Sequence, residues 1–395
     1  MTMLNWMEQE LEALAERSLE RSLRTVSAAK DCQGYIESGG RKLLHLSSND
    51  YLGLAGHPDI ANAMRQALLD EGAGSGASRL VTGNRPPYAR LEQALAVWQQ
   101  SEAALVIANG YMANTGVIAA LAGRGDVVFS DKLNHASIVD GVTLSRAEHA
   151  RYRHNDMDHL RSLLHKHRDK RRKLIVTDAI FSMDGDQAQL RELAELKHEY
   201  GAMLMVDEAH SGGIYGARGE GLCAELGLHR QVDVHVGTFS KAFGVYGAYV
   251  SGSRTLIRWL TNKARPLIYS TALPPSLVAG ISASLEIVQA EHWRRLRLRE
   301  GSRLFRSRLA AAGLNVGAGD SPIVPVIVGD NAAALRFSST LEAEGIAAVA
   351  IRPPTVPDGS ARIRFSLSAV HTDEQLADAA DRIIPIASGL GVVPR

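Results

Sequence analysis

From Ala103 onward, short apolar runs take turns with amphipathic stretches. Apolar runs at 103–108, 126–129, 174–180, 202–206 and 232–237 are separated by segments at 111–122, 136–146, 157–168 and 187–200, whose apolar residues recur at helical spacing. Residues 150–153 make a weaker run, and Val245–Val250 a further one. Each run is short and continuously hydrophobic, as a strand covered on both faces is. Strands alternating with helices predict an α/β architecture: a mainly parallel, helix-covered sheet.

Outside this region the pattern changes. Leu4, Met7, Leu11, Leu14, Leu19 and Leu23 recur amid charges and predict an amphipathic helix from Leu4 to Val26. Gly39-Gly40 predicts a hairpin turn between Tyr35-Ile36 and Leu43–Leu46. Helices are expected after Pro58 and over 88–100, flanking a glycine-rich stretch, Glu71–Asn84. Beyond Lys241, one long helix from Pro274 to Ala312 is expected to lead into a small α+β unit. Its elements are Ile323–Val328, a helix at 331–344, Ala347–Ile351, Ala361–Leu367 and a helix at 372–388. The expected division is an N-terminal segment at 1–50, a large α/β domain at 51–290 and a small domain at 291–395.

Composition removes several function classes. Hydrophobic residues make up 45% of the 395 positions and charged ones 22%, ordinary globular usage. A net charge of +1 gives no bulk attraction to nucleic acid or anionic membrane. The basic run K-H-R-D-K-R-R-K at 166–173 carries no aromatics and reads as a solvated surface. Cys32 and Cys223 form no C-x-x-C pair, so neither a disulfide framework nor a zinc site is expected, and no metal is assigned. The N-terminus is acidic and helical, unlike a signal peptide, and no apolar run reaches the roughly 18 residues of a membrane span. A cytoplasmic protein is expected.

The chemistry gathers where apolar runs stop at polar residues. M-L-M-V-D-E-A-H, Met203 to His210, ends on an acid and an imidazole. V-H-V-G-T-F-S-K, Val234 to Lys241, ends on two hydroxyls and an amine. Ligands of open α/β sheets sit outside such strand ends. A carboxylate able to hold a pyridinium, with a lysine able to form an imine, is the pair that pyridoxal phosphate requires. Thr238 and Ser240, with Gly237 and Gly244, suit a phosphate near that amine. His135, in D-K-L-N-H-A-S-I, either stacks on a ring or caps a helix. Gly110-Tyr111 opens a helix directly after a strand, where free N–H groups favour a phosphate. Ser182, in F-S-M-D-G-D, ends another strand. The glycine-rich stretch is neither a Walker A loop nor G-x-G-x-x-G, so a nucleotide reading lacks its motif.

With those residues assembled, the chain resembles the α-oxoamine synthase family of fold-type I pyridoxal-phosphate enzymes from about Arg21 to its last helix. The resemblance is carried by S-S-N-D-Y-L-G-L, G-S-G-A-S-R-L-V-T-G-N, N-H-A-S-I, F-S-M-D-G-D, D-E-A-H, T-F-S-K-A-F-G, I-Y-S-T-A-L-P-P and R-P-P-T-V-P-D-G-S-A-R-I-R. It implies that Lys241 forms the imine to the cofactor and acts as acid and base, with Asp207 on the pyridine nitrogen. His210 and Ser182 would meet the ring oxygen, and His135 would stack on the ring. Gly110, Tyr111 and Thr238 would hold the phosphate, joined by Thr271 of the other subunit of a homodimer. Asn49 and Arg364 would take an amino acid's carboxylate, while Arg21, Arg352 and Thr355 would line the acyl-thioester side. Two positions depart from the commonest pattern: Tyr88 stands where relatives often carry histidine, and Ser211-Gly212-Gly213 follows the D-E-A-H.

Within the family the likeness is to members that join L-alanine to a pimeloyl thioester of CoA or of a carrier protein, releasing CO2. Arg21 favours such a dicarboxylic chain, since a guanidinium pairs well with a distal carboxylate. The rivals are the sister reactions, glycine with acetyl-CoA first, then the serine palmitoyl and 5-aminolevulinate chemistries. A regulatory subunit without catalysis is a reading of another kind, and such partners usually lack the lysine retained here as Lys241.

Overall fold

The computed structural model describes residues 4–29 and 32–392. They form two compact units. One comprises residues 52–181 and 187–295, and the other residues up to 51, 182–186 and from 296 onward.

The first unit is built on a seven-stranded sheet. Its spatial order is Ala103–Ile107, Ala248–Gly252, Val234–Thr238, Met203–Asp207, Lys173–Asp178, Val127–Asp131, Glu148–Tyr152. Six strands run one way; Ala248–Gly252 alone pairs antiparallel, with a neighbour on each side. The expected parallel α/β sheet is the observed one. Leu105, Ile107, Val176, Met205, Val234, Val236 and Val250 join one apolar cluster with Val117, Ile118, Ile138 and Val142 of the helices Gly110–Leu121 and Ala136–Ser145. Alternate residues, Phe129, Ile175, Leu204 and Val206, are equally buried and point the other way, where the Met157–Lys166 and Leu190–Tyr200 helices pack. Burying each such large side chain contributes about 1.5–3 kcal/mol. Coverage on both faces is why the runs carry no polar alternation. Within the basic run, Arg171 pairs with Asp126 and Lys170 with Glu148, while His167 is buried rather than solvated.

Two glycines near Lys241 answer to packing. A Cβ on Gly237 would lie 2.4 Å from the Tyr249 ring. One on Gly244, at φ +65°, would lie 2.3 Å from the Ala55 backbone nitrogen.

The second unit holds two small sheets. The Tyr35–Ser38 and Arg41–His45 hairpin turns at Gly39 and Gly40, both at positive φ, as a tight hairpin requires. The expected strand Ala347–Ile351 is divided. Ile346–Ala347 runs parallel to Arg41–His45, whereas Val349–Ile351 pairs antiparallel with Ala361–Ser366, which also pairs with Ile323–Gly329.

Two helix expectations are corrected. The N-terminal helix spans Asn5–Glu16 and does not continue to Val26. Ser18 takes φ +56°, and the Leu19 and Ser18 N–H groups close on the Leu14 and Ala15 carbonyls at 2.7 and 2.9 Å. This is a Schellman ending with serine in glycine's place, stabilised by burial of Leu19. The stretch Pro274–Ala312 is two helices, Pro275–Ala290 and His292–Ala311, parted at Glu291. Glu291 instead forms an ion pair with Arg294 at 2.6 Å.

His371 in the second unit is 2% exposed, and its Nδ1 accepts the Ser368 N–H at 3.1 Å. Burial, with His45 and Arg297 nearby, depresses its pKa to about 4. An unfolded chain takes up that proton near pH 6.5, so stability falls as pH drops from about 6.5 to about 4, by up to about 3 kcal/mol. Urea titrations across that window should show a shallower loss for His371→Gln than for the wild type; equal slopes would contradict this account.

Candidate active site

Four parallel strands end on polar residues: Asp131, Asp178, Asp207 and Thr238. Asp131 is consumed locally, accepting from Leu133 N, Asn155 N and His154 Nδ1 at 2.8, 2.8 and 3.0 Å. The other three surround the predicted chemistry.

Asp207 is 5% exposed. Its Oδ1 accepts Ala209 N at 2.9 Å and its Oδ2 accepts Asn114 Nδ2 at 2.6 Å. Asp178 lies in register beside it. Burial first, and Asp207 second, push the Asp178 carboxyl well above the usual carboxylate range. Both effects disfavour a second negative charge on Asp178 beside Asp207. The Asp178 Oδ2 accepts the backbone N–H of His135 at 2.8 Å, which sets that loop against the strand ends. Glu208, the next letter of the D-E-A-H, is structural: it is 1% exposed and accepts from Leu222 N and Cys223 N at 2.7 and 3.1 Å. Burial alone would raise its pKa, but His235, Cys223 and Ser211 outweigh burial and hold it low.

Lys241 follows the neighbouring strand, and its Nζ lies 2.8 Å from His210 Nε2. The contact joins the loops after Met203–Asp207 and Val234–Thr238. Thr238 Oγ1 donates to the Gly247 carbonyl at 2.9 Å and accepts Ser240 N at 3.2 Å. Across from it stands Gly110: a Cβ there would lie 3.6 Å from Thr238 Cβ. Asn109 caps the helix by accepting Met112 N at 2.9 Å, so the first-turn N–H groups of Gly110 and Tyr111 have no intrahelical acceptor. The helix N-terminus, with no acid in its first turn, favours an anion beside Thr238. The Tyr111 ring is half exposed and meets His135 edge-on at 6.5 Å between centroids, with its hydroxyl on Asp140. His135 also caps the Ala136–Ser145 helix, the capping reading of that residue. Packing around the ring, ahead of the pull of Asp207 and the push of Lys241, holds the His135 pKa below its ordinary value.

The remaining predicted residues, Thr271 excepted, belong to the other unit. Arg364 is 7% exposed, and its donors go to neutral oxygens: Ser182 O at 2.6 Å, Ser366 Oγ at 2.6 Å, Tyr51 OH at 3.2 Å and Asn49 Oδ1 at 3.3 Å. Asn49, Ser182 and Arg364 are thus one cluster. Arg21 donates to Pro353 O at 3.0 Å, and Arg352 donates to Ser18 O and Glu20 O. Burial, then the neighbouring Arg21, lowers the Arg352 pKa, so two guanidiniums stand close together with carbonyls as their hydrogen-bond partners. Thr355 is exposed three residues beyond Arg352. Thr271, in the first unit, is exposed on a bridge to Ser78.

Sequence reasoning missed Asn114, Asp178 and Arg79. Arg79 pins the glycine-rich stretch by bonding Glu92, Asn84 Oδ1 and Val106 O, with its guanidinium 4.1 Å above the Tyr88 ring. Tyr88 itself is 2% exposed, and burial pushes its pKa up to about 12. The only advance sign of Asp178 was an acid inside the apolar run 174–180.

The model of the class I and II aminotransferases matches residues 41–383. A Geobacillus kaustophilus protein provisionally named an 8-amino-7-oxononanoate synthase is 52% identical over 379 residues, 96% of each chain. A Halalkalibacterium halodurans protein of the same provisional name is 50% identical over 373 residues, 94% of each chain. Among solved structures, a serine palmitoyltransferase variant from S. paucimobilis with a bound PLP–myriocin aldimine aligns at TM-score 0.94 and 32% identity, covering all of both chains. The 8-amino-7-oxononanoate synthase of Francisella tularensis aligns at TM-score 0.77 and 28% identity, over 88% of this chain and 98% of that one. With its sheet, its strand-end lysine and acid, and this likeness along nearly its whole length, the chain belongs to the class I and II aminotransferase family, within the α-oxoamine synthase branch.

Proposed function

We propose that the protein is an 8-amino-7-oxononanoate synthase, an acyltransferase that condenses L-alanine with a pimeloyl thioester, of CoA or of a carrier protein, and releases CO2 and the thiol. The observation that carries the reading is Lys241 Nζ at 2.8 Å from His210 Nε2, on the loop that follows the strand ending at the buried Asp207. That arrangement, with the anion site at Gly110, Tyr111 and Thr238, fits pyridoxal phosphate. When bound, the cofactor supplies an electron sink for the charge left on the alanine Cα as its proton departs.

The chain's own residues do the rest. Asp207 holds a proton on a ring nitrogen set against it, which keeps the sink effective. Lys241 removes and returns the proton at Cα, a transfer worth on the order of 10²–10⁴-fold. His210 and Ser182 orient the ring oxygen, and His135 covers the ring face. Asn49 and Arg364 bind the alanine carboxylate, the group later lost as CO2. Arg21 and Arg352, with Thr355, take the acyl side, where two adjacent guanidiniums suit the distal carboxylate of a pimeloyl chain. We place the enzyme in the cytoplasm as a homodimer, with Thr271 of each subunit on the phosphate held by the other. Exposure of Thr271 on the surface of its own chain supports that assignment.

The structural likeness to serine palmitoyltransferase favours a second reading, serine with a long acyl chain. A hydrocarbon tail offers nothing to Arg21 and Arg352, which sets this reading second.

Lys241→Ala should abolish the visible absorbance of the bound cofactor and turnover together; a fully active variant would end the proposal. Arg21→Leu should raise KM for pimeloyl-CoA about 10–100-fold while kcat changes little, as loss of one charged hydrogen bond predicts. Unchanged KM, or faster turnover of serine with palmitoyl-CoA by the wild type, would count against the substrate assignment.

A further inference from the structure

We propose that Asn114 and Ser137 are positioning residues: a one-way chain of hydrogen bonds runs from Asp207 through them to His135 and fixes which imidazole nitrogen carries the proton. Asn114 is 1% exposed on the helix that opens at Gly110, and Ser137 is fully buried on the helix that follows His135. Asn114 Nδ2 reaches Asp207 Oδ2 at 2.6 Å and Ser137 Oγ at 2.9 Å. Those two bonds use both hydrogens of the amide.

The direction of the chain is set by charge. With the amide reversed, its carbonyl oxygen would face the Asp207 carboxylate at the same short distance. The observed orientation leaves Asn114 Oδ1 buried without a hydrogen bond, a cost accepted to keep the donor on Asp207. Because Ser137 Oγ accepts from Asn114, its own hydrogen points onward, and His135 Nδ1 lies 2.7 Å away. The Ser137 backbone N–H also donates to that nitrogen, at 3.2 Å. Two donors converge on Nδ1, so it accepts, and the ring proton belongs on Nε2.

The groups facing His135 act in opposite directions. Asp207 and Asp140 favour a charged ring, while Lys241 disfavours it. The relay adds a fixed demand for a lone pair at Nδ1. A neutral imidazole with its proton on Nε2 stacks on a protonated pyridine ring without repelling it. Asp207 thereby serves both sides: it would hold the pyridinium directly, and through two residues it fixes the lone pair on the stacked ring.

This rests on His135 being the residue stacked on the cofactor. The tautomer is read without turnover, so a wrong amino-acid or acyl assignment would leave it standing. The experiment is 15N NMR of histidine-labelled holoenzyme at neutral pH, with the His135 signals assigned by their loss in His135→Asn. The wild type should show the Nε2–H tautomer. Ser137→Ala should shift the tautomer ratio about tenfold towards Nδ1–H, the weight of one hydrogen bond, and Ser137→Thr should restore it. A wild-type ring protonated at Nδ1 overturns the inference even if no variant folds, and so does a Ser137→Ala ratio that does not move.

Discussion

A carboxyl group sunk at the end of a covered strand must have hydrogen-bond donors, a proton or a counter-charge. Here two such groups, Asp178 and Asp207, lie in register on adjacent strands. Burial first, and the neighbouring Asp207 second, push the Asp178 carboxyl well above the usual carboxylate range. The Asp207 oxygens are met by Ala209 N and Asn114 Nδ2. Asp178 keeps an acceptor for the His135 backbone. Sheet register thus sets two acids side by side, and the loops beyond the strands are arranged around that pair.

The same economy appears in the second unit with the sign reversed. Arg364 is buried, and its positive charge is met by neutral oxygens of Ser182, Ser366, Tyr51 and Asn49. Arg352 and Arg21 make their hydrogen bonds to backbone carbonyls. Hydrogen bonds of this kind orient a guanidinium while leaving its charge available to an incoming anion. Arg79, by contrast, is fully committed to Glu92 and Asn84 and serves the loop.

Elements with strong periodicity were legible in advance. The parallel strands and the helices between them fall within a few residues of the apolar runs, because burial on both faces leaves a continuous hydrophobic signature. Helix ends were less legible. Ser18 in the left-handed region carries no sequence mark, since glycine or asparagine is the usual sign of that turn. The break at Glu291 is hidden inside an unbroken run of helix formers. In the site, residues at strand ends were visible because an acid or amine interrupts an apolar run. Asn114 was not, because one amide in a helix looks like any other until the fold brings Asp207 and Ser137 to it. Gly237 and Gly244 were read as room for a phosphate, and their neighbours Tyr249 and Ala55 explain both by close packing.

The strand shared out at Ile346–Ala347 has a consequence for the order of assembly. The hairpin of Tyr35–Ser38 and Arg41–His45 finds its third neighbour only in chain made some 300 residues later. At a ribosomal pace of 5–20 residues per second, the nascent N-terminus waits roughly 15–60 s for that partner, while the large sheet, complete by Gly252, already has every strand it needs. Synthesis from one end therefore presents the cell with a finished α/β body carrying an unfinished hairpin, whose open edge must be kept from strangers until the tail arrives.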